Sequence, residues 1–231
     1  SGSAALLMAL ISIGIKPGDE VIIPNRAWIA AAHAPLLLGA KVVIVDVEIN
    51  RLTMNVNDIV KNITPRTKAI IPVHLNGRSV NMEKINNIAK KNNIVVIEDA
   101  AQAFCSRNKK GFLGNQSSIG CFSLSMAKII STAQGGFIIT KKKKIYDKLK
   151  LIRTHGIRDH MYASYAHLGF NFKFTDIQAS IGIEQLKKLP NNIKKVKKIY
   201  LKYEKVINKL PFLDLIPVNI EAGEIPIYIE V

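Results

Sequence analysis

Cysteine is scarce in this chain, with two in 231 residues, and Cys105 and Cys121 cannot build a disulfide framework. No Cys/His spacing resembles a metal site, so no metal is expected. Such usage fits a reducing cytoplasm. Acidic residues are also in deficit: 17 Asp and Glu stand against 33 Lys and Arg, which leaves a formal charge of +16. A surplus of that size favours anionic partners in general. No aromatic-studded strand motif or recognition-helix pattern accompanies it, so a nucleic-acid partner is not expected. The lysines fall in short runs, Lys109-Lys110, Lys141 to Lys144 and the stretch from Lys194 to Lys209, which read as solvated faces. Long apolar runs are missing too. The stretch from Ala27 to Val47 comes nearest to a membrane span, but His33, Pro35, Gly39, Lys41 and Asp46 interrupt it. No signal peptide is visible.

What the chain does have is 48% hydrophobic residues, enough for a sizeable globular core. Helical and strand patterns alternate along it. A helix is expected over 3–13, a strand over 20–23, a helix over 27–38, a strand over 41–46 and a short helix over 57–62. A strand over 68–73, a helix over 81–92 and strands over 93–97, 119–124 and 136–140 follow. Strands separated by helices of about ten to fifteen residues predict an α/β fold, a largely parallel sheet covered on both faces. After Thr140 the pattern turns helical, over 141–153, 175–189 and 192–210, with Pro190 as a boundary. Two apolar runs within 211–231 read as opening strands of a second unit. The abrupt start at a helix leads us to expect residues upstream of Ser1.

The chemistry concentrates in two short stretches. Asp99 ends the apolar run before Ala100-Ala101-Gln102, where open α/β sheets place ligands. Lys128 follows the second strand, in Cys121-Phe122-Ser123-Leu124-Ser125-Met126-Ala127-Lys128, so two strand ends point at one crevice. An amine and a carboxylate so placed are what pyridoxal phosphate needs: a lysine to hold its aldehyde as a Schiff base and an acid to keep its ring nitrogen protonated. Each residue also has a plain reading, Lys128 as surface lysine and Asp99 as a helix cap. Gly2 and Ser3, in the first turn of the opening helix, offer free N–H groups and a hydroxyl to a phosphate, or a simple N-cap. Ser123 adds a second hydroxyl. Trp28, the only tryptophan, is either a cover for one face of a flat ring or a core aromatic. Gln102 is either a contact to the cofactor's phenolic oxygen or a cap facing solvent.

Six blocks, "SGSAAL" (1–6), "GDEVIIP" (18–24), "TPRTKAIIPVHLNG" (64–77), "VVIEDAAQAF" (95–104), "GCFSLSMAK" (120–128) and "GFNFKFTDIQASIGIEQL" (169–186), resemble in order and spacing the DegT/DnrJ/EryC1/StrS sugar aminotransferases, fold-type I pyridoxal-phosphate enzymes. The resemblance implies Lys128 as the Schiff-base lysine and Asp99 as the partner of the pyridine nitrogen. It implies Gln102 as the cofactor-oxygen contact, Trp28 as the stacking ring, and Gly2, Ser3 and Ser123 as phosphate contacts. Asn171 would reach the phosphate of a neighbouring subunit, making a homodimer with composite sites, and His74 lies near the site or serves structure. The implied organisation is a cofactor-binding large domain over 1–189, lacking the family's N-terminal arm. A helix and the start of a truncated small C-terminal domain follow over 190–231. The implied reaction is transamination from L-glutamate to a nucleotide-linked ketosugar, first a 4-keto-6-deoxyhexose, for amino sugars of bacterial surface polysaccharide such as lipopolysaccharide. A 3-keto sugar, a cyclitol ketone or a non-catalytic regulatory role are the alternatives. Departures are Ser3 for the usual threonine, Asn76 for a common tyrosine, and Ala133-Gln134-Gly135-Gly136 where Gly-Glu-Gly-Gly is frequent.

Overall fold

The computed structural model describes residues 1–159, 161 and 164–231. In chain order the elements are α1 (Gly2–Ile13), β1 (Glu20–Pro24), α2 (Ala30–Leu36), β2 (Lys41–Val45), α3 (Val56–Asn62) and β3 (Thr67–Ile70). A 3-10 turn at Leu75–Gly77 leads to α4 (Met82–Lys91) and β4 (Val95–Asp99). Then come a small hairpin of β5 (Arg107–Asn108) and β6 (Gly111–Phe112), followed by β7 (Ile119–Ser123), β8 (Gly136–Thr140) and α5 (Lys143–Arg153). A two-stranded ribbon of β9 (Ile157–Asp159) and β10 (Ser164–Tyr165) precedes α6 (Asp176–Ile207).

Six strands form one sheet in the order β2-β1-β3-β4-β7-β8. Every pairing in it is parallel except β7 with β8, which is antiparallel. The β-branched runs of β1, β4 and β7 are buried on both faces, as parallel strands under two helical layers must be. Alternation divides their side chains. Val21, Ile23, Ile71, Ile97 and Ile119 pack with Leu6 and Leu10 of α1, whereas Ile22, Ile70 and Val96 pack with Ile59 of α3 and Ile85 of α4. Each such fully buried isoleucine contributes about 1.5–3 kcal/mol.

The helix α1 is apolar on nearly every side because it is covered on two sides, touching β7 and β8 below and α2 and α5 beside it. Ser1 caps it by accepting the Ala4 N–H, and Gly14 closes it in the left-handed conformation, the usual division between hydroxyl N-caps and glycine C-ends. In α4, by contrast, only Met82, Ile85 and Ala89 are buried, the stripe of a surface helix.

Two expectations are corrected. Pro190 does not end a helix: α6 runs unbroken from Asp176 to Ile207 with Pro190 inside it. The bond lost at the proline falls on an exposed side of the helix, where the freed carbonyl faces solvent. Residues 211–231 form no strand. Their apolar side chains Val218 and Ile225 are buried, but the backbone is satisfied by side chains such as Tyr200, whose hydroxyl accepts the Val218 N–H at 2.9 Å, and not by a ladder. The two small hairpins were not foreseen, since strands of two or three residues carry no period.

Candidate active site

The parallel pair β4 and β7 ends in a crevice, and Asp99 is the last residue of β4. Its backbone is tied on both sides: its N–H donates to Pro72 O at 2.9 Å, its carbonyl accepts the His74 N–H at 3.0 Å, and the Ala100 N–H donates to Cys121 O at 2.8 Å. The backbone that carries the side chain is therefore fixed. Its Oδ1 accepts the Ala101 N–H at 3.0 Å, and the carboxylate makes no other hydrogen bond among the described residues. Burial pushes this carboxyl above its ordinary range, against the Ala101 N–H and the nearby Lys128 and His74.

Lys128 stands in the loop after β7, half-buried, with its N–H on Ser125 O at 3.0 Å. Burial draws its ammonium below the ordinary lysine range, against the opposing field of Asp99. The two side chains thus lie near enough to influence each other's charge, and among the described residues they close no salt bridge. The loop is braced from both ends: Leu124 and Thr132 close it through a bond of 3.0 Å, Gln178 of α6 donates to Gln134 O at 2.7 Å, and Asn192 donates to Ile129 O at 3.1 Å.

Gly2 meets Ser123 at the first turn of α1. A β-carbon at Gly2 would lie 2.9 Å from Ser123 Cβ, so only glycine lets the helix N-terminus approach the hydroxyl. Ser123 Oγ in turn accepts the Ser125 N–H at 3.3 Å. Ser3 is exposed in the same turn, its hydroxyl without a partner among the described residues, and the N-cap is Ser1. Gln102 lies just past Asp99, its Oε1 accepting the Asn76 N–H at 2.8 Å. Trp28 is no core aromatic, being 71% exposed. It precedes α2, whose Ala31 packs on Val73, the bridge partner of Asp99. Asn171 is exposed. It pairs with Thr154 and, with Ser1, Gly136, Arg153 and Phe174, lines a cavity of about 550 Å³ that includes neither Asp99 nor Lys128.

Sequence reasoning passed over three features. His74 and Glu98 form a buried pair at 2.9 Å, and the Val80 N–H donated to His74 Nδ1 at 3.3 Å leaves the ring proton on Nε2, facing Glu98. Asn76 is a buried hub with a left-handed φ of 53°; the dipeptide Asn76-Gly77 was the available signal. Tyr228 places its hydroxyl 3.4 Å from the Ala127 carbonyl, one residue from Lys128, a distant pairing that no local pattern announces.

A mostly parallel sheet, with an amine and a carboxylate near the ends of adjacent strands and a glycine-opened helix N-terminus against Ser123, defines an α/β protein with a candidate site at the strand ends. Residues 1–226 match the model of the DegT/DnrJ/EryC1/StrS aminotransferase family, and the chain belongs to that family. It is 38% identical over 210 residues to a GDP-perosamine synthase of Escherichia coli O157:H7, covering 91% of this chain and 58% of that one. It thus spans under two thirds of that relative's length. Among solved structures, S. venezuelae DesV superposes with a TM-score of 0.92 at 30% identity, over 99% of this chain and 61% of that one. The sugar aminotransferase Spr1654 of Streptococcus pneumoniae in its PLP form gives a TM-score of 0.84 at 27% identity, over 90% of this chain and 58% of that one. Among the described residues no helix is long and apolar enough to cross a membrane, and no group of three His, Cys, Asp or Glu could hold a metal ion.

Proposed function

We propose that this chain carries the catalytic core of a pyridoxal-phosphate aminotransferase that moves the amino group of L-glutamate to the keto carbon of a nucleotide-linked 4-keto-6-deoxyhexose. A GDP-linked sugar is the first candidate, supported by the name of the Escherichia coli relative. The product would serve a bacterial surface polysaccharide. The observation that carries the reading is the placement of the two groups: Asp99 ends β4, Lys128 lies in the loop that follows its parallel neighbour β7, and the buried carboxylate and the half-buried amine each feel the other's charge.

The residues fit the cofactor. Gly2 and Ser123 leave a cradle that a side chain at position 2 would fill, and Asp99 has an unshared carboxylate oxygen suited to a protonated ring nitrogen. When bound, the cofactor supplies an aldehyde that takes up amines and a ring that withdraws electrons from the attached carbon. Lys128 would hold the aldehyde at rest and afterwards carry a proton to and from the reacting carbon, a task that the drawn-down amine suits. Asp99 would keep the ring nitrogen protonated. Gly2, Ser3 and Ser123 would bind phosphate, Trp28 would cover one ring face and Gln102 would contact the ring oxygen. Asn171, exposed and outside its own crevice, would reach the phosphate of a second copy in a homodimer. Residues 1–189 are read as the cofactor-binding domain and 190–231 as the entry to a smaller one, with α6 spanning the boundary.

The test is incubation of the full-length protein with glutamate and a panel of nucleotide ketosugars, reading product mass. An aminated GDP-4-keto-6-deoxyhexose is expected. Lys128→Ala and Asp99→Ala should each lose at least about 10²–10⁴-fold in rate, the scale of a general acid or base, while Lys109→Ala should be unchanged. Equal loss in all three, or no amination of any ketosugar by cofactor-loaded protein, overturns the reading.

A further inference from the structure

Asn76 joins two parts of the molecule that are distant in sequence. Its backbone N–H donates to Gln102 Oε1. Its side chain holds the segment from Ile225 to Glu230: Oδ1 accepts the N–H groups of Ile227 at 2.8 Å and Tyr228 at 2.5 Å, and Nδ2 donates to Tyr228 O at 2.6 Å and Glu230 Oε2 at 3.1 Å. Four bonds from one side chain, 1% exposed, are its full capacity. The neighbouring Gly77 makes the close approach feasible, because a β-carbon there would lie 2.0 Å from the Ile225 carbonyl oxygen. The segment is pinned further by Ser106 Oγ on the Ile225 N–H at 3.0 Å and by the ion pairs of Glu230 with Arg78 at 2.5 Å and Arg26 at 3.2 Å. It also touches the lysine loop through Tyr228 and Ala127.

We infer that Asn76 is a positioning residue that sets which end of the Gln102 amide faces the cofactor. This rests on the functional reading above. With Oε1 occupied by the Asn76 N–H, a flipped amide would set donor against donor, so Nε2 is the end left for the ring oxygen. The left-handed backbone of Asn76 is what aims that N–H. Asparagine reaches this conformation more readily than most residues, and the four bonds to the 225–230 segment hold it there. The segment would therefore act on the ring oxygen through Asn76 and Gln102.

The readout is the pH titration of the visible band of lysine-bound pyridoxal phosphate in the full-length holoprotein. A donor on the ring oxygen favours its anionic form, so losing a fixed donor should raise the midpoint. Asn76→Asp keeps the backbone preference and the Oδ1 acceptor but sets a carboxylate against the Tyr228 carbonyl and Glu230. It should raise the midpoint by about 0.5–1 pH unit, the equivalent of one neutral hydrogen bond. In a Gln102→Ala background the same substitution should add no shift, because its route is removed. Asn76→Gly, which also tolerates the backbone, replaces Asn76→Asp should the carboxylate prevent folding. An unchanged midpoint in both variants, or an equal shift with and without Gln102, overturns the inference and leaves the functional reading standing. A wild-type holoprotein with no band overturns both.

Discussion

Glu98 and Asp99 are adjacent buried acids with opposite electrostatics. Burial raises Glu98, but bonds from His74, Ser117 and Gly114 outweigh it and hold the carboxyl below its ordinary range; for Asp99, burial wins and the carboxyl lies above it. Linkage then gives opposite signs. Glu98 stabilises the fold above its unfolded-state range, and that contribution is lost as pH falls through the lower folded value. Asp99 binds its proton more tightly when folded, so stability declines as pH rises from the ordinary aspartate range through the raised folded value. In cofactor-free protein at pH 7, Asp99→Asn should therefore raise the thermal midpoint and remove that decline. Glu98→Gln should lower stability by about 1–3 kcal/mol, since one buried donor among His74, Gly114 and Gln116 loses its acceptor. Thermal melts of both variants from pH 4 to 8 check this. The same direction of change in both would show that the two acids share one environment.

At the scale of elements, α6 carries the lysine loop. Gln178 and Asn192, on either side of Pro190, hold Gln134 and Ile129. Proline inside a helix costs about 3 kcal/mol relative to alanine, offset in part by the freedom it removes from the unfolded chain. Pro190→Ala should accordingly raise stability by about 2 kcal/mol, read as a higher urea midpoint at unchanged slope. A lower midpoint would mean that a bend at Pro190 is needed to seat Asn192. The sheet strands and their helices were legible because β-branched runs and 3.6-residue stripes each bury a face. Pro190 misled because a local breaking rule says nothing of tertiary support. Val218 and Ile225 misled because strand preference becomes a strand only when a neighbour offers a ladder. The places of Asp99 and Ser123 at strand ends, of Lys128 in the loop that follows and of Gly2 in the first turn of a helix could be read from the sequence. The Asn76 hub, spanning some 150 positions of sequence, could not.

For the whole molecule, the open question is how one crevice becomes a complete site. Trp28, Ile29 and Met126 are exposed, and Asn171 is exposed beside the cavity that Ser1 and Gly136 line. A two-fold dimer repeats every contact, so a residue that serves its neighbour is served in return. Hybrid dimers separate this from service within one chain. A Lys128→Ala subunit supplies an intact Asn171, and an Asn171→Ala subunit supplies an intact Lys128. If Asn171 acts across the interface, the pair restores one of its two sites, and random mixing of equal amounts should recover about a quarter of wild-type turnover from two nearly inactive parents. If Asn171 acts within its own chain, each hybrid places both defects so that neither site is whole, and mixing recovers nothing. Co-expression with two affinity tags, purification of the hybrid and a glutamate-dependent turnover assay decide between them.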